Sequence, residues 1–194
     1  MQQTTILIGT TKGAFLLRHD TSEGWTADGP HCGGWPINHV TGDPESGHIW
    51  TGGGNGFFGA GIWRSTDGGR TWTNTRLSKG EIDAWAATEP EFAAAMGVDP
   101  DAPPPFGDDL DAIWSIGRSG DTLYAGAKPA QLLASADGGK SWTRNTALAG
   151  FEGRDAWAAG AAGLLPSTPV GAGSNADGLP RFLRNLSPIC GNRA

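Results

Sequence analysis

The chain contains the stretch IWRSTDGGRTWTN at residues 62–74, and a close copy, LLASADGGKSWTRN, lies at residues 132–145. Both copies have the pattern Ser-x-Asp-Gly-Gly, followed by a basic residue, then Thr or Ser, then Trp. Asp-Gly favours a tight turn, because glycine accepts a positive φ and the carboxylate accepts hydrogen bonds from N–H groups of the turn. We therefore predict two hairpins whose aspartates shape turns and take no part in acid–base chemistry. The structural residues of the two copies are Ser65, Asp67, Gly69, Trp72, Ser135, Asp137, Gly139 and Trp142.

A weaker third copy opens the sequence and ends at Trp25, and its spacing is that of a repeat. Trp25 precedes Trp72 by 47 residues, which is about the length of one four-stranded propeller blade. The interval from Trp72 to Trp142 is about one and a half times as long. This longer interval contains an alanine-, proline- and acid-rich loop at residues 85–109, within which residues 89–97 favour a short helix. The sequence therefore predicts repeated β-sheets with one long insertion.

These residues resemble the Asp-box, or BNR, repeat of sialidase-like β-propeller proteins of the glycosyl hydrolase BNR-repeat superfamily, and the resemblance covers residues 4–163. It implies an all-β fold, a β-propeller of four-stranded antiparallel blades. About three to four blades fit in the chain, so we expect an incomplete propeller and a truncated chain. We expect blades over residues 1–163. Residues 164–194 have neither an Asp box nor strand alternation, and we expect an irregular tail there that is frameshifted or disordered.

The composition argues against several classes of partner. The formal net charge is −6 and no run of lysine or arginine occurs, so nucleic acid and anionic membranes are poor partners. The start of the sequence has no basic n-region, and no stretch is long and apolar enough to span a membrane. Cys32 and Cys190 lie far apart and form no metal motif. We therefore expect a soluble cytoplasmic protein with no metal or cofactor, and the oligomeric state stays open.

A propeller topology predicts which loops share a face. If each Asp box joins the third and fourth strands of a blade, then the loops between the second and third strands, and between blades, lie on the opposite face. Aromatic rings with a few polar groups are suited to a sugar or peptide ligand. The alternative for each of these residues is a packing role. The candidate ligand-binding residues on that face are His31, Trp35, Asn38, His39, Asn55, Phe58, Lys128, Arg154 and Trp157.

The resemblance to sialidases does not supply a catalytic set. Sialidases pair a tyrosine nucleophile with a glutamate and bind the substrate carboxylate with three arginines, whereas Tyr124 is the single tyrosine of this chain. The arginines near the hairpins are on the wrong part of the blade for such a cluster. The sequence thus predicts a scaffold that binds a glycan, peptide or protein ligand, with catalytic residues unknown. The alternatives are a glycoside hydrolase, exo-sialidase or glucanase-like, whose catalytic residues are partly missing from the chain, and a decayed product without function.

Overall fold

The computed structural model describes residues 4–22, 24–86, 88–96, 98–99 and 102–149. Two of the candidate ligand-binding residues, Arg154 and Trp157, lie outside the described residues, and so does the predicted tail at residues 164–194. Within the described part, no helix is long and apolar enough to cross a lipid bilayer.

Eleven strands among the described residues form three antiparallel sheets, which confirms the prediction of an all-β fold. Sheet 1 consists of β1 (Thr4–Thr10), β2 (Gly13–Asp20) and β3 (Gly24–His31). Sheet 2 consists of β4 (Ile37–Gly42), β5 (Ile49–Asn55), β6 (Gly59–Ser65) and β7 (Thr73–Arg76). Sheet 3 consists of β8 (Ala112–Ser119), β9 (Thr122–Lys128), β10 (Gln131–Ser135) and β11 (Thr143–Arg144).

Three short helices complete the described structure: α1 (Glu81–Ala86), α2 (Pro90–Ala95) and α3 (Thr146–Ala149). Helix α2 lies within the helix predicted over residues 89–97, and Pro90 suits its first turn. The sequence does not predict α1, so the insertion between sheets 2 and 3 begins earlier than the expected loop at residues 85–109.

Sheet 2 lies between the other two sheets and forms a hydrophobic core on each face. Toward sheet 3, Trp50 and Ile62 pack with Ile113, Leu123 and Leu133. Toward sheet 1, Trp35 and Ile37 pack with Ala14 and Cys32. In sheets 2 and 3, the first strand contacts the preceding sheet. Strand β4 contacts β1 and β2 of sheet 1, and strand β8 contacts β4, β5 and β6 of sheet 2.

The three sheets have the same internal register. In each sheet, the residue that follows the repeated tryptophan pairs with a residue of the preceding strand, and this partner has the same position in the repeat in all three sheets. These pairs are Thr26 with Arg18, Thr73 with Arg64, and Thr143 with Ala134. By this register β1, β2 and β3 correspond to β5, β6 and β7 of sheet 2. Among the described residues, sheet 1 therefore lacks the strand that β4 provides to sheet 2 and β8 provides to sheet 3.

Each Asp box joins the third and fourth strands of its sheet through a closed set of hydrogen bonds. Asp67 Oδ1 accepts from Ser65 Oγ at 2.8 Å and from the Thr71 N–H at 2.9 Å, while Thr71 Oγ1 donates to Asp67 Oδ2 at 2.6 Å. The Gly69 N–H donates to Ser65 Oγ, and Trp72 Nε1 donates to the Gly69 carbonyl. The second box, between β10 and β11, repeats these bonds around Asp137.

The Asp boxes of sheets 2 and 3 also attach these sheets to the preceding one, sheets 1 and 2 respectively. Arg18 Nη2 of β2 donates to the Gly68 carbonyl at 2.7 Å, and Trp50 Nε1 of β5 donates to the Gly138 carbonyl at 3.0 Å. Thr75 Oγ1 adds a third bond, to the Gly139 carbonyl. Each box therefore forms a turn within its own sheet and also connects that sheet to its neighbour.

The boxes predict a specific dependence of stability on pH. Hydrogen bonds, first of all from the Thr71 and Ser141 hydroxyls, lower the pKa of Asp67 and Asp137 far below the ordinary value. A carboxylate whose pKa is lowered by folding stabilises the fold above its unfolded pKa of about 4 and loses that effect as the pH falls toward the folded pKa. The D67N/D137N variant should therefore have a lower urea midpoint than the wild type at pH 7, and the difference should shrink toward pH 2.

Chemical unfolding at a series of pH values measures this effect. The variant D108N, at an exposed aspartate of the insertion, is the matched control and should follow the wild-type profile. A deficit of D67N/D137N that stays the same at every pH would contradict the prediction, because it would be unrelated to ionisation.

Candidate functional site

The face of sheet 2 opposite its Asp box is formed by the β5–β6 turn and the helices that follow β7. Asn55 Oδ1 accepts hydrogen bonds from the Phe57 and Phe58 N–H groups, both at 3.0 Å, and so closes the turn. The Glu81 N–H donates to the Gly56 carbonyl, and the Ile82 N–H donates to the Phe57 carbonyl. These bonds hold α1 on the turn, which brings together two loops that the sequence placed on one face.

A continuous row of aromatic rings leads from the core to the surface at this place. Trp35 stacks on Phe58, with ring centroids 4.9 Å apart, and Phe58 meets Phe57 edge-on at 5.0 Å. Phe57 contacts Trp85 at 6.2 Å, and Trp85 contacts Phe92 at 6.3 Å. We call these five residues the aromatic row.

Exposure rises along the aromatic row. Trp35 is fully buried and Phe58 is 8% exposed, whereas Trp85 is 53% exposed and Phe92 43%. The inner rings lie in the core, and the outer rings present apolar surface to solvent. Exposed aromatic faces of this kind are suited to stacking against a ligand.

An ion pair lies beside the aromatic row. Arg76 Nη2 donates to Asp83 Oδ2 at 2.5 Å, and the Gly80 N–H donates to the same oxygen at 2.8 Å. Burial alone would raise the pKa of Asp83, but the hydrogen bond from Arg76 and that from Gly80 outweigh it and leave the pKa below its ordinary value. Asp83 is therefore held as an anion and is a poor proton donor.

Several polar atoms on the side of sheet 2 that packs toward sheet 1 are buried without hydrogen-bond partners among the described residues. They are Trp63 Nε1, both amide atoms of Asn74, and Nε and Nη1 of Arg76. Trp63 pairs with Asn74 across β6 and β7, so these groups lie side by side. Because these atoms are shielded from solvent, the cluster is part of the packed interior of sheet 2.

The structure brings some of the candidate ligand-binding residues together and separates others. Trp35 and Phe58 stack in the core and Asn55 shapes the turn above them, so these three belong to one region. Asn38 Nδ2 donates to the Ile113 carbonyl, and His39 Nδ1 accepts from the Ile116 N–H, so both of these join sheet 2 to sheet 3.

The two remaining described candidates lie away from the aromatic row. His31 ends β3, where its ring lies 5.6 Å from that of Trp72, and its Nε2 lies 3.2 Å from Asp28 Oδ1. Lys128 ends β9 and lies 3.4 Å from Asp111 on sheet 3.

A concave region lies on the Asp-box side, between β1 and the β4–β5 turn. Its volume is about 440 Å³, and its lining includes Leu7, Asp43 and His48. Asp43 accepts hydrogen bonds from the Ser46 hydroxyl, the Glu45 N–H and Arg118, which lower its pKa to about 2. Because these internal bonds already use the carboxylate, this region offers little for recognition, and the aromatic row is the better candidate site.

Sequence reasoning included Trp35 and Phe58 but missed Phe57 and Phe92. The pair Phe57-Phe58 is visible in the sequence, and so is Phe92 within an alanine-rich segment, but only the fold shows that their rings meet at Trp85. No three His, Cys, Asp or Glu side chains of the described residues lie close enough together to hold a metal ion.

Comparison of the chain with protein-family models and with curated protein sequences gives no match. The repeated Asp box and the geometry of the described sheets are therefore the basis of the functional proposal.

Proposed function

We propose that this chain is an Asp-box repeat protein of the sialidase-like propeller class, and that it binds a glycan through the exposed end of its aromatic row. The exposure of Trp85 and Phe92, whose rings meet each other while Trp85 also meets the half-buried ring of Phe57, is the observation that carries the proposal. A sugar ring presents C–H groups that pack on aromatic faces, and its hydroxyls suit the polar groups around Arg76 and Asp83.

Three features support the propeller architecture within this proposal. The sheets follow one another in chain order, with the first strand of each later sheet against the preceding sheet. Both Asp boxes join third and fourth strands, and both form hydrogen bonds to the sheet before them. The proposal includes a cytoplasmic location, because Cys32 is a free, buried thiol and thiols stay reduced in the cytoplasm.

Glycoside hydrolysis is the less favoured function. Most glycosidases need one carboxylic acid that donates a proton and a second carboxylate on the other side of the scissile bond. Asp83 is the carboxylate closest in sequence to the exposed ring of Trp85, and its hydrogen bonds hold it ionised. Glycan binding does not need two catalytic carboxylates, so the aromatic row and the Arg76–Asp83 ion pair suffice for binding.

Glycan binding is tested with the W85A and F92A variants. Stacking on an aromatic ring contributes about 0.5–1.5 kcal/mol beyond area burial, so each variant should weaken binding several-fold and the double variant should weaken it more than tenfold. A glycan array with neutral and sialylated members identifies the ligand, and calorimetry then gives the affinity per site. W114A, which removes an exposed tryptophan of sheet 3, is the matched control and should leave that affinity unchanged.

Two results would reject glycan binding through the aromatic row. One is an array without binding for the folded wild-type protein, and the other is equal affinity of W85A and the wild type. Turnover of fluorogenic sialosides or glucosides that is lost in D83N would instead support the hydrolase.

A further inference from the structure

The β5–β6 turn contains an asparagine that is followed directly by a glycine, Asn55-Gly56, and the sequence has no other pair of this kind. The backbone nitrogen of the residue after an asparagine can attack Cγ of the asparagine side chain. Glycine hinders this attack least, because it has no Cβ. Asn55 and Gly56 are both exposed, and a Cβ on Gly56 would meet no atom within 4 Å. Solvent therefore reaches both residues that such a reaction uses.

Two backbone N–H groups of the same turn hold the side-chain carbonyl oxygen of Asn55. The Phe57 and Phe58 N–H groups both donate to Asn55 Oδ1 at 3.0 Å. When a nucleophile attacks Cγ, negative charge develops on Oδ1, and donors that already point at this oxygen stabilise the transition state. The turn therefore supplies an oxyanion hole for a reaction of its own asparagine.

Contacts from outside the turn keep the two donors in place. The Glu81 N–H of α1 donates to the Gly56 carbonyl at 3.0 Å, and the Ile82 N–H donates to the Phe57 carbonyl at 2.9 Å. Phe58 is 8% exposed and its ring stacks on that of the buried Trp35. The donors are thus positioned before the reaction begins, which is the condition under which such stabilisation is most effective.

The nucleophile and the leaving group form no other bonds that the reaction has to break. Among the residues that the structure describes, neither the Gly56 N–H nor Asn55 Nδ2 has a hydrogen-bond partner. The side-chain amide of Asn55 is therefore held through its oxygen alone, while its nitrogen stays free to leave.

We propose that the β5–β6 turn is a self-modification site, at which the backbone nitrogen of Gly56 displaces the side-chain amide nitrogen of Asn55. The Gly56 nitrogen bonds to Asn55 Cγ, the bond from Cγ to Nδ2 breaks, and Nδ2 leaves as ammonia with the proton that the Gly56 nitrogen gives up. A water molecule then opens the cyclic imide at one of its two carbonyl carbons. The product is aspartate or isoaspartate, and in both a carboxyl group has replaced the amide.

Either product changes the turn that contains the inner rings of the aromatic row. Both products add a negative charge at residue 55, and isoaspartate also lengthens the backbone of the turn by one methylene group. We expect Phe57 to move relative to Trp85 in the isoaspartate form. The chemistry itself does not depend on glycan binding, and only an effect on ligand affinity rests on the proposed function.

Mass spectrometry of the folded full chain, incubated at neutral pH in heavy-oxygen water, tests the proposal. Because water opens the imide, peptide mapping should find one solvent oxygen in residue 55, in aspartate and in isoaspartate. Conversion should be at least as fast as in the same chain unfolded in guanidinium chloride, because the bonds to Oδ1 exist only in the fold. Asn145 is the internal control: its Oδ1 accepts one N–H, from Ala147 at 3.0 Å, and a β-branched residue, Thr146, follows it. Asn145 should convert much more slowly than Asn55.

The G56A variant separates the chemistry from the fold. The space around Gly56 is open and its φ is not positive, so G56A should unfold at the wild-type midpoint. A methyl group beside the nucleophile disturbs its approach to Cγ, so conversion of Asn55 should be slower by roughly tenfold or more. Slower conversion of Asn55 in the folded protein than in the unfolded chain would overturn the proposal. So would equal rates in G56A and the wild type, or conversion of Asn145 as fast as that of Asn55.

Discussion

Replacing Trp35 with alanine is expected to lower the free energy of unfolding by about 3–5 kcal/mol. Trp35 is fully buried, stacks on Phe58, meets Trp63 edge-on at 6.1 Å and donates from Nε1 to the Met96 carbonyl at 3.3 Å. Its removal leaves a cavity lined by residues of the β5–β6 hairpin and of the insertion after α2. Domains are typically stable by only about 5–15 kcal/mol, so W35A should unfold at a much lower temperature or urea concentration.

Calorimetry or urea unfolding of W35A measures this effect, and W85A is the matched control because Trp85 is 53% exposed. W85A should change stability little and ligand binding strongly. The conservative variant W35F keeps an aromatic ring beside Phe58 and should recover part of the loss. If W35A melted like the wild type but lost the ligand, Trp35 would be a ligand-binding residue and not a packing residue.

Replacing Gly53 with alanine is the second change with a large expected effect. Gly53 lies in β5, opposite Ile37, and a Cβ at this position would overlap with the Pro36 carbonyl oxygen and crowd the Ile37 backbone. Backbone atoms cannot move aside as the end of a flexible side chain does, so β4 would have to shift relative to β5. We expect a loss of about 3 kcal/mol, the upper end of the range for overpacking.

Gly117 supplies the control for this prediction. It also lies in a strand, β8, but a Cβ there would meet no atom within 4 Å. G117A should be neutral or stabilising by up to about 1 kcal/mol, because alanine restricts the unfolded chain. Thermal unfolding of both variants compares them directly, and equal midpoints for G53A and G117A would contradict the close approach of β4 and β5.

The Asp boxes could be predicted from the sequence because their hydrogen bonds are local. Every bond that shapes the first box joins residues between Ser65 and Trp72, and the second box repeats the same spacing. The strands on either side follow from the turn, since a hairpin pairs the residues next to it. Local chemistry of this kind can be read without any knowledge of distant segments.

The candidate site was less predictable because its contacts join distant segments. Trp35 and Trp85 both stand in irregular stretches of sequence, and nothing local distinguishes the buried ring from the exposed one. Their difference comes from Phe58, Trp63 and Met96, which reach Trp35 from other elements. In the same way α1 depends on hydrogen bonds to the β5–β6 turn, from which it is separated in sequence by the whole of β6 and β7.

Asn38 and His39, which the sequence presented as ligand-binding candidates, are a second case in which contacts between distant segments could not be predicted. A polar residue after a loop can serve either a ligand or a neighbouring sheet. The bonds of Asn38 and His39 reach the backbone of Ile113 and Ile116, in the next sheet and beyond the whole insertion, so no local pattern reports them.

The position of sheet 2 between two neighbours has a consequence for the internal motions of the protein. In a linear array of packed units, each unit is held by the units on either side, and opening begins at the ends. Among the described residues, sheets 1 and 3 each pack on sheet 2 through one face, whereas β5 and β6 are covered from both directions. Amide hydrogens of β5 and β6 should therefore exchange with solvent last among the strands described.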